Sequence, residues 1–179
     1  MPAVEVHTMM DGNITRHPQT QFLDFVVDGQ SIREMVEGGP GHVTELCRPR
    51  LDAVPESVDR LLGRLGTGGL QENRVALLVC RVCGDLGCGT LTARLDVSQD
   101  QVSWSEFLWD GGVGDPTSID VGREVDRRIV FNRAGYEAVL TSAYERVAAM
   151  PYDELEHQGR GFLWPWQGGW RMPKPDKNE

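Results

Sequence analysis

The sequence predicts an α+β domain built on an antiparallel sheet, and three observations carry that reading. Arg74–Cys80 (RVALLVC) is a continuous apolar run of strand length, the pattern of a strand covered on both faces. Leu91, Ala93, Leu95 and Val97 then alternate with Thr92, Arg94 and Asp96, and a turn at Ser98–Gln101 leads into Val102–Trp109. Strands joined by connections this short form an antiparallel meander. Helical stripes fall outside that block, at Pro55–Leu65 and after Asn132, so helices and sheet are segregated.

From the N-terminus, Ala3–His7 alternates weakly and reads as a short strand. Gln21–Val27 is a β-prone run (Phe22, Leu23, Phe25, Val26, Val27) that stops at the turn pair Asp28-Gly29. Ser31-Ile32-Arg33-Glu34 is a capping box, with a short helix to about Glu37 that Gly38-Gly39-Pro40-Gly41 ends. In Pro55–Leu65 the proline suits a first helical position. Val58, Leu61, Leu62 and Leu65 share a face, and Gly66 offers a left-handed stop. In Val102–Trp109 the shared face is Val102, Trp104 and Leu108. Asp110–Asp126 has no periodicity and reads as a Gly- and Asp-rich loop. Arg128–Phe131 is a short strand, and Asn132 caps a helix to about Ala149 with a stripe of Tyr136, Val139, Leu140, Ala143 and Val147. Residues 3–150 therefore form a single α+β domain with two main helices, and 151–179 are a Pro-, Gly- and Trp-rich tail.

A chain of 179 residues, 40% hydrophobic, hides roughly 70% of its unfolded surface on folding, so a real core needs no covalent staples. No run approaches the ~18 apolar residues of a membrane span and no secretion signal is visible, so a cytoplasmic protein is expected. The formal net charge of −9 argues against nucleic acid as a partner, since phosphate binding needs a positive surface. Sixteen of the 18 cations are Arg, and the two lysines are Lys174 and Lys177. That distribution excludes a P-loop lysine, a kinase-type strand lysine and, inside the domain, a Schiff-base lysine for pyridoxal phosphate. G-x-S-x-G, S-x-x-K and H-E-x-x-H are also absent. No catalytic residue is assigned, and the reading leans away from an enzyme.

The strong local motif is Cys80-Arg81-Val82-Cys83-Gly84-Asp85-Leu86-Gly87-Cys88-Gly89. Its C-x2-C-G spacing is that of a zinc knuckle: two thiolates on a tight turn face one point, and the glycine lets backbone N–H groups turn toward sulfur. Cys88 begins the return strand and can swing back to the same point, and Cys47, from the segment before the long helix, is the fourth ligand. A metal set of Cys47, Cys80, Cys83 and Cys88 is a closed shell, which fits structural Zn²⁺. His42, five residues before Cys47, can replace a missing thiol. Two other readings stand beside this one. The cysteines can be small buried hydrophobes with free thiols, or Cys80 and Cys83 can be a redox dithiol. That dithiol motif normally opens a helix, and here it lies between two strands.

The run Cys80–Gly89, with Leu46-Cys47 upstream, resembles a family of small uncharacterised proteins from high-GC, actinobacterial-type genomes. There a strand enters C-x-x-C-G-D-L-G-C-G and another leaves it. The resemblance extends over about residues 21–109 in layout, implies a fold unit, and implies no activity; the tail departs from it. A GC-rich genome also accounts for the excess of Arg over Lys.

Asp85, inside the cysteine turn, is expected to bond a loop amide. The glycines around it lack the strand-then-helix context of a phosphate cradle. Asp110, Asp115, Asp120, Glu124 and Asp126 match no Ca²⁺ loop and read as solvated, and His7, His17, His42 and His157 have no partner motif. In the tail, Phe162, Leu163, Trp164, Trp166 and Trp170 are interleaved with Gly, Pro, Arg160, Arg171 and Lys174. Tryptophans this dense are costly to leave in water, so the tail is expected to dock on its own domain, or else on a protein partner or second copy. The function that follows is a non-enzymatic interaction or regulatory module with a structural zinc site. The alternative is a thiol redox protein.

Overall fold

The computed structural model describes residues 4–11, 20–36, 41–70, 73–110, 118–120 and 128–152. Among them, antiparallel strands form two sheets and the helices pack as separate units, which is the α+β class expected. The smaller sheet has the order β1-β2-β3, with β1 Val4–Asp11, β2 Thr20–Val27 and β3 Gln30–Ser31. Asp28 and Gly29 both take positive φ (50° and 81°), so the β2–β3 connection is a two-residue turn of the primed type that matches strand twist. The first strand is longer than its sequence suggests because it pairs with β2 along its whole length, from Val4 opposite Val27 to Asp11 opposite Thr20. Ser31 then caps α1 (Ile32–Met35), its Oγ accepting from the Glu34 N–H at 3.2 Å.

The larger sheet runs β4-β5-β6-β7-β8, with β9 also on β7. Its strands are β4 His42–Val43, β5 Arg74–Cys80, β6 Thr90–Val97, β7 Gln101–Asp110, β8 Ser118–Asp120 and β9 Arg128–Asn132. Two of these, β4 and β8, are too short to show a period and were not expected. Between Thr92 and Arg94 the β6–β7 register slips, so that Ala93 faces both Glu106 and Phe107, and Glu106 takes φ 50°. The bulge turns Phe107, not Leu108, into the core. Arg74 secures it from beneath, donating to Thr92 Oγ1 (2.8 Å) and to the Glu106 carbonyl (2.7 Å). This is why Thr92, on the face expected to be wet, is fully buried.

A 3₁₀ helix, Arg48–Ala53, leads into α2, Val54–Leu61. The helix stops a turn before Leu65: Gly63, at φ 69°, is the left-handed stop assigned above to Gly66, and Leu65 is exposed. The C-terminal helix breaks at Ser142 into α3 (Arg133–Thr141) and α4 (Ala143–Ala148). Asn132 caps it as expected, accepting from the Gly135 N–H at 3.0 Å. Both sheets and the helices close on one core centred on Trp104. Its ring meets Phe25 of the small sheet (5.2 Å between centroids), Phe131 of β9 (5.0 Å) and Tyr136 of α3 (5.9 Å), all edge-on. Trp104 Nε1 donates to the Tyr136 hydroxyl (3.1 Å), which donates to the Leu61 carbonyl at the end of α2 (3.0 Å).

The chain leaves the described domain beside the 3₁₀ helix, where Arg48 donates to the Met150 carbonyl and lies 4.8 Å from the Tyr152 ring centre. The remainder of the tail, with Trp164, Trp166 and Trp170, lies outside the described residues, as does most of the acidic loop. Among the described residues no helix is long and apolar enough to cross a membrane.

Two expectations follow. Tyr136→Phe leaves the indole N–H and the Leu61 carbonyl buried without partners, and should cost about 2–3 kcal/mol in a urea unfolding series. Asp24, buried in β2, accepts from Ser31, while its Oδ1 has no partner among the described residues. Burial holds its carboxyl above the ordinary carboxylate range, against the hydrogen bonds from Ser31 and the Phe25 N–H. A raised folded pKa contributes stability that is present below the unfolded value near ~3.9 and lost as pH rises through the folded value. Asp24→Asn should therefore flatten the decline in unfolding free energy from about pH 4 upward, with the variant gaining on the wild type as pH rises.

Candidate metal centre

Three of the four cysteines meet at one end of the larger sheet. Cys80 is the last residue of β5, Cys83 lies in the following turn, and Cys88 closes a 3₁₀ turn, Leu86–Cys88, just before β6. Their Sγ atoms all lie within 4.8 Å of one another. Cys83 Sγ is 3.3 Å from Cys88 Sγ, and all three are free thiols. This cluster can hold a metal ion, and among the described residues it is the one such group of His, Cys, Asp and Glu side chains.

The loop takes this shape for local reasons. Gly84 sits at φ 68°, a conformation that favours glycine, and its N–H returns to the Cys80 carbonyl at 2.8 Å. Asp85 does what was expected of it, accepting from the Gly87 N–H at 2.7 Å, while its own N–H points at Cys83 Sγ (3.5 Å). Thr90 Oγ1 donates to the Leu86 carbonyl at 2.9 Å and ties the turn to β6. Burial pushes the Cys80 thiol up, but the backbone N–H groups of Val82 and Cys83 and the neighbouring thiols outweigh it, and the net shift is downward. Cys88 moves the other way: its hydrogen bond with Cys83 and the charge of Cys83 push it to about 11. The two shifts are opposite in sign: the local hydrogen bonds favour the thiolate form at Cys80 and disfavour it at Cys88.

Arg50 braces the loop from outside. It projects from the 3₁₀ helix, and its Nη2 donates to the carbonyls of Cys80 (2.7 Å) and Arg81 (3.1 Å). The guanidinium is packed so closely on the turn that a Cβ at Gly84 would lie 2.5 Å from its central carbon. Its Nη1 is buried with no hydrogen-bond partner among the described residues. Glycine is thus needed at position 84 twice over, for its φ and for this approach. Nothing in the sequence flags Arg50, which meets the cysteine loop some thirty residues away in the chain.

The expected fourth thiol is elsewhere. Cys47 does not join the sulfur group; it is buried against Phe22 and Val43, and a single antiparallel bridge pair with Phe22 holds it alongside β2. Burial raises its thiol pKa, which favours the uncharged form over a thiolate ligand. Cys47 thus fits the reading of a small buried hydrophobe. His42 is opposite Cys80 in the β4–β5 register, its ring edge-on to Trp109 at 4.7 Å. His7 pairs with Glu5 on the exposed face of β1, and His17 and His157 lie outside the described residues.

A groove of about 550 Å³ opens between the end of α2 and the β5–β6 pair, beside Arg60, Leu65, Asn73, Arg74 and Val97. Among the described residues its walls carry no carboxylate, histidine or thiol. Comparison of the chain with protein-family models, curated proteins and solved structures finds no match.

The double demand on Gly84 is separable by mutation. Gly84→Ala should lose roughly 1–2 kcal/mol to backbone strain plus a further term for displacing Arg50. In an Arg50→Ala background the same change should retain the strain alone, and the difference measures the contact.

Proposed function

We infer that the protein is a non-enzymatic interaction or regulatory module whose cysteine loop is organised by a structural Zn²⁺ ion. The observation that carries this reading is the convergence of the Cys80, Cys83 and Cys88 sulfurs, with backbone N–H groups aimed at two of them. Thiolates in a compact cluster with N–H donors to sulfur are the donor set that Zn²⁺ selects, and Arg50 supplies a cation beside the negative charge that such a site accumulates. Val82 stands exposed between the first two cysteines, so an ordered loop would present an apolar tip to a partner.

A thiol redox role is the second reading, favoured by the lowered Cys80 thiol and by the Cys83–Cys88 contact. Against it, Cys80 ends a strand instead of opening a helix, so no helix N-terminus lowers its pKa.

The purified chain should carry about one equivalent of zinc, and free zinc at a hundredfold its Kd should stabilise folding by about 2.7 kcal/mol. Cys83→Ser and Cys88→Ser should abolish that gain, while Cys47→Ala should keep it. Metal-free protein with undiminished stability and rapid alkylation of Cys80 would favour the redox reading.

A further inference from the structure

We propose that His42 is the fourth ligand of this centre, making it a Cys3His zinc site that joins β4 to the cysteine loop. The inference rests on the metal reading above and concerns the coordination position that three thiolates leave open.

A structural Zn²⁺ takes four ligands in a tetrahedron, so one donor beyond the three sulfurs must come from nearby. Cys47 is buried with Phe22 and Val43 alongside β2, Asp85 accepts from the Gly87 amide, and His7 pairs with Glu5 in the other sheet. His42 stands directly across from Cys80. The Arg81 N–H donates to the Gly41 carbonyl at 2.7 Å, which makes Gly41 and Arg81 a hydrogen-bonded pair. His42 and Cys80 are then the adjacent non-hydrogen-bonded pair, the kind whose Cα atoms lie only about 4.5 Å apart and whose side chains emerge on the same face. The backbone therefore already places an imidazole beside the first sulfur of the cluster.

The ring itself stands edge-on to Trp109, and its nitrogens are outside the group of sulfurs within 4.8 Å. Coordination requires the side chain to turn away from Trp109 while the strand stays where it is. Charge favours this donor. Three thiolates and Zn²⁺ leave one net negative charge, which a neutral imidazole does not increase and which one guanidinium, that of Arg50, can offset. A fourth thiolate would double it.

The decisive measurement is zinc X-ray absorption on the full chain loaded with one equivalent of Zn²⁺, alongside chelator competition. The expected result is three sulfurs at about 2.3 Å and one imidazole nitrogen at about 2.0–2.1 Å. Changes in the shell around a metal's ligands already weaken binding about 10–100-fold, so His42→Ala should weaken it at least ~10-fold and remove the nitrogen signal. His42→Cys should restore tight binding with four sulfurs, which guards against a fold defect in the alanine variant. A four-sulfur shell in the wild type, or unchanged affinity in His42→Ala while Cys83→Ser loses zinc, would overturn the role of His42 and leave the metal reading standing. A wild-type chain that binds no zinc overturns both.

Discussion

The hydrogen-bond relay from Trp104 through Tyr136 to the Leu61 carbonyl is the contact on which the other parts converge. It is the place where the larger sheet, α3 and α2 share one buried polar chain, and the Phe25 edge contact brings the smaller sheet to the same ring. Each of its polar groups is buried, so each must be satisfied or impose a penalty of about 1–3 kcal/mol. That requirement sets the seating of α3, because one hydroxyl has to reach an indole and a helix-terminal carbonyl at once. Burial pushes the Tyr136 phenol far above its ordinary pKa, so the relay stays intact throughout the ordinary pH range.

With the helices fixed in this way, the 3₁₀ segment before α2 is fixed as well, and it carries Arg50 to the cysteine loop. The cysteine cluster, which can hold a metal ion, is consequently not an appendage. Its turn is shaped by glycine and Asp85 locally, and by a guanidinium anchored in the helical layer. Arg50, half-buried, holds the carbonyls of Cys80 and Arg81 and so fixes the backbone from which the first thiol projects.

Much of this was legible in the residues. Continuous or alternating apolar runs identified β5, β6 and β9, and the caps at Ser31 and Asn132 operate as their side chains dictate. C-x2-C-G marked two of the three sulfurs that converge, and Cys88 followed from the return strand. The failures have equally specific causes. Strands of two or three residues, such as β4 and β8, leave no period to detect; pairing alone defines them. The bulge at Glu106 inverted the facing of Phe107 and Leu108 because register is a property of two strands, not one. Gly63 and Gly66 are equivalent as letters, and the position of Val97 and Leu95 beneath the turn, close to Gly63, is tertiary. Cys47 was joined to the other cysteines by residue type, whereas its bridge to Phe22 carries it into the core.

The division of labour along β7 has a consequence for solubility. Its outward edge is occupied in two stretches, by β9 opposite residues 101–105 and by β8 opposite 108–110, on either side of the bulge. At the far side of the sheet, β4 is two residues long and β5 carries its own irregularity between Ala76 and Leu78. Among the described residues, neither flank of this larger sheet offers the long, flat row of unpaired amides and carbonyls on which sheets of separate molecules stack. A sheet rich in Val, Leu, Trp and Phe is thereby kept from templating its own polymerisation, and the irregularities that obscured its register in the sequence are what protect it.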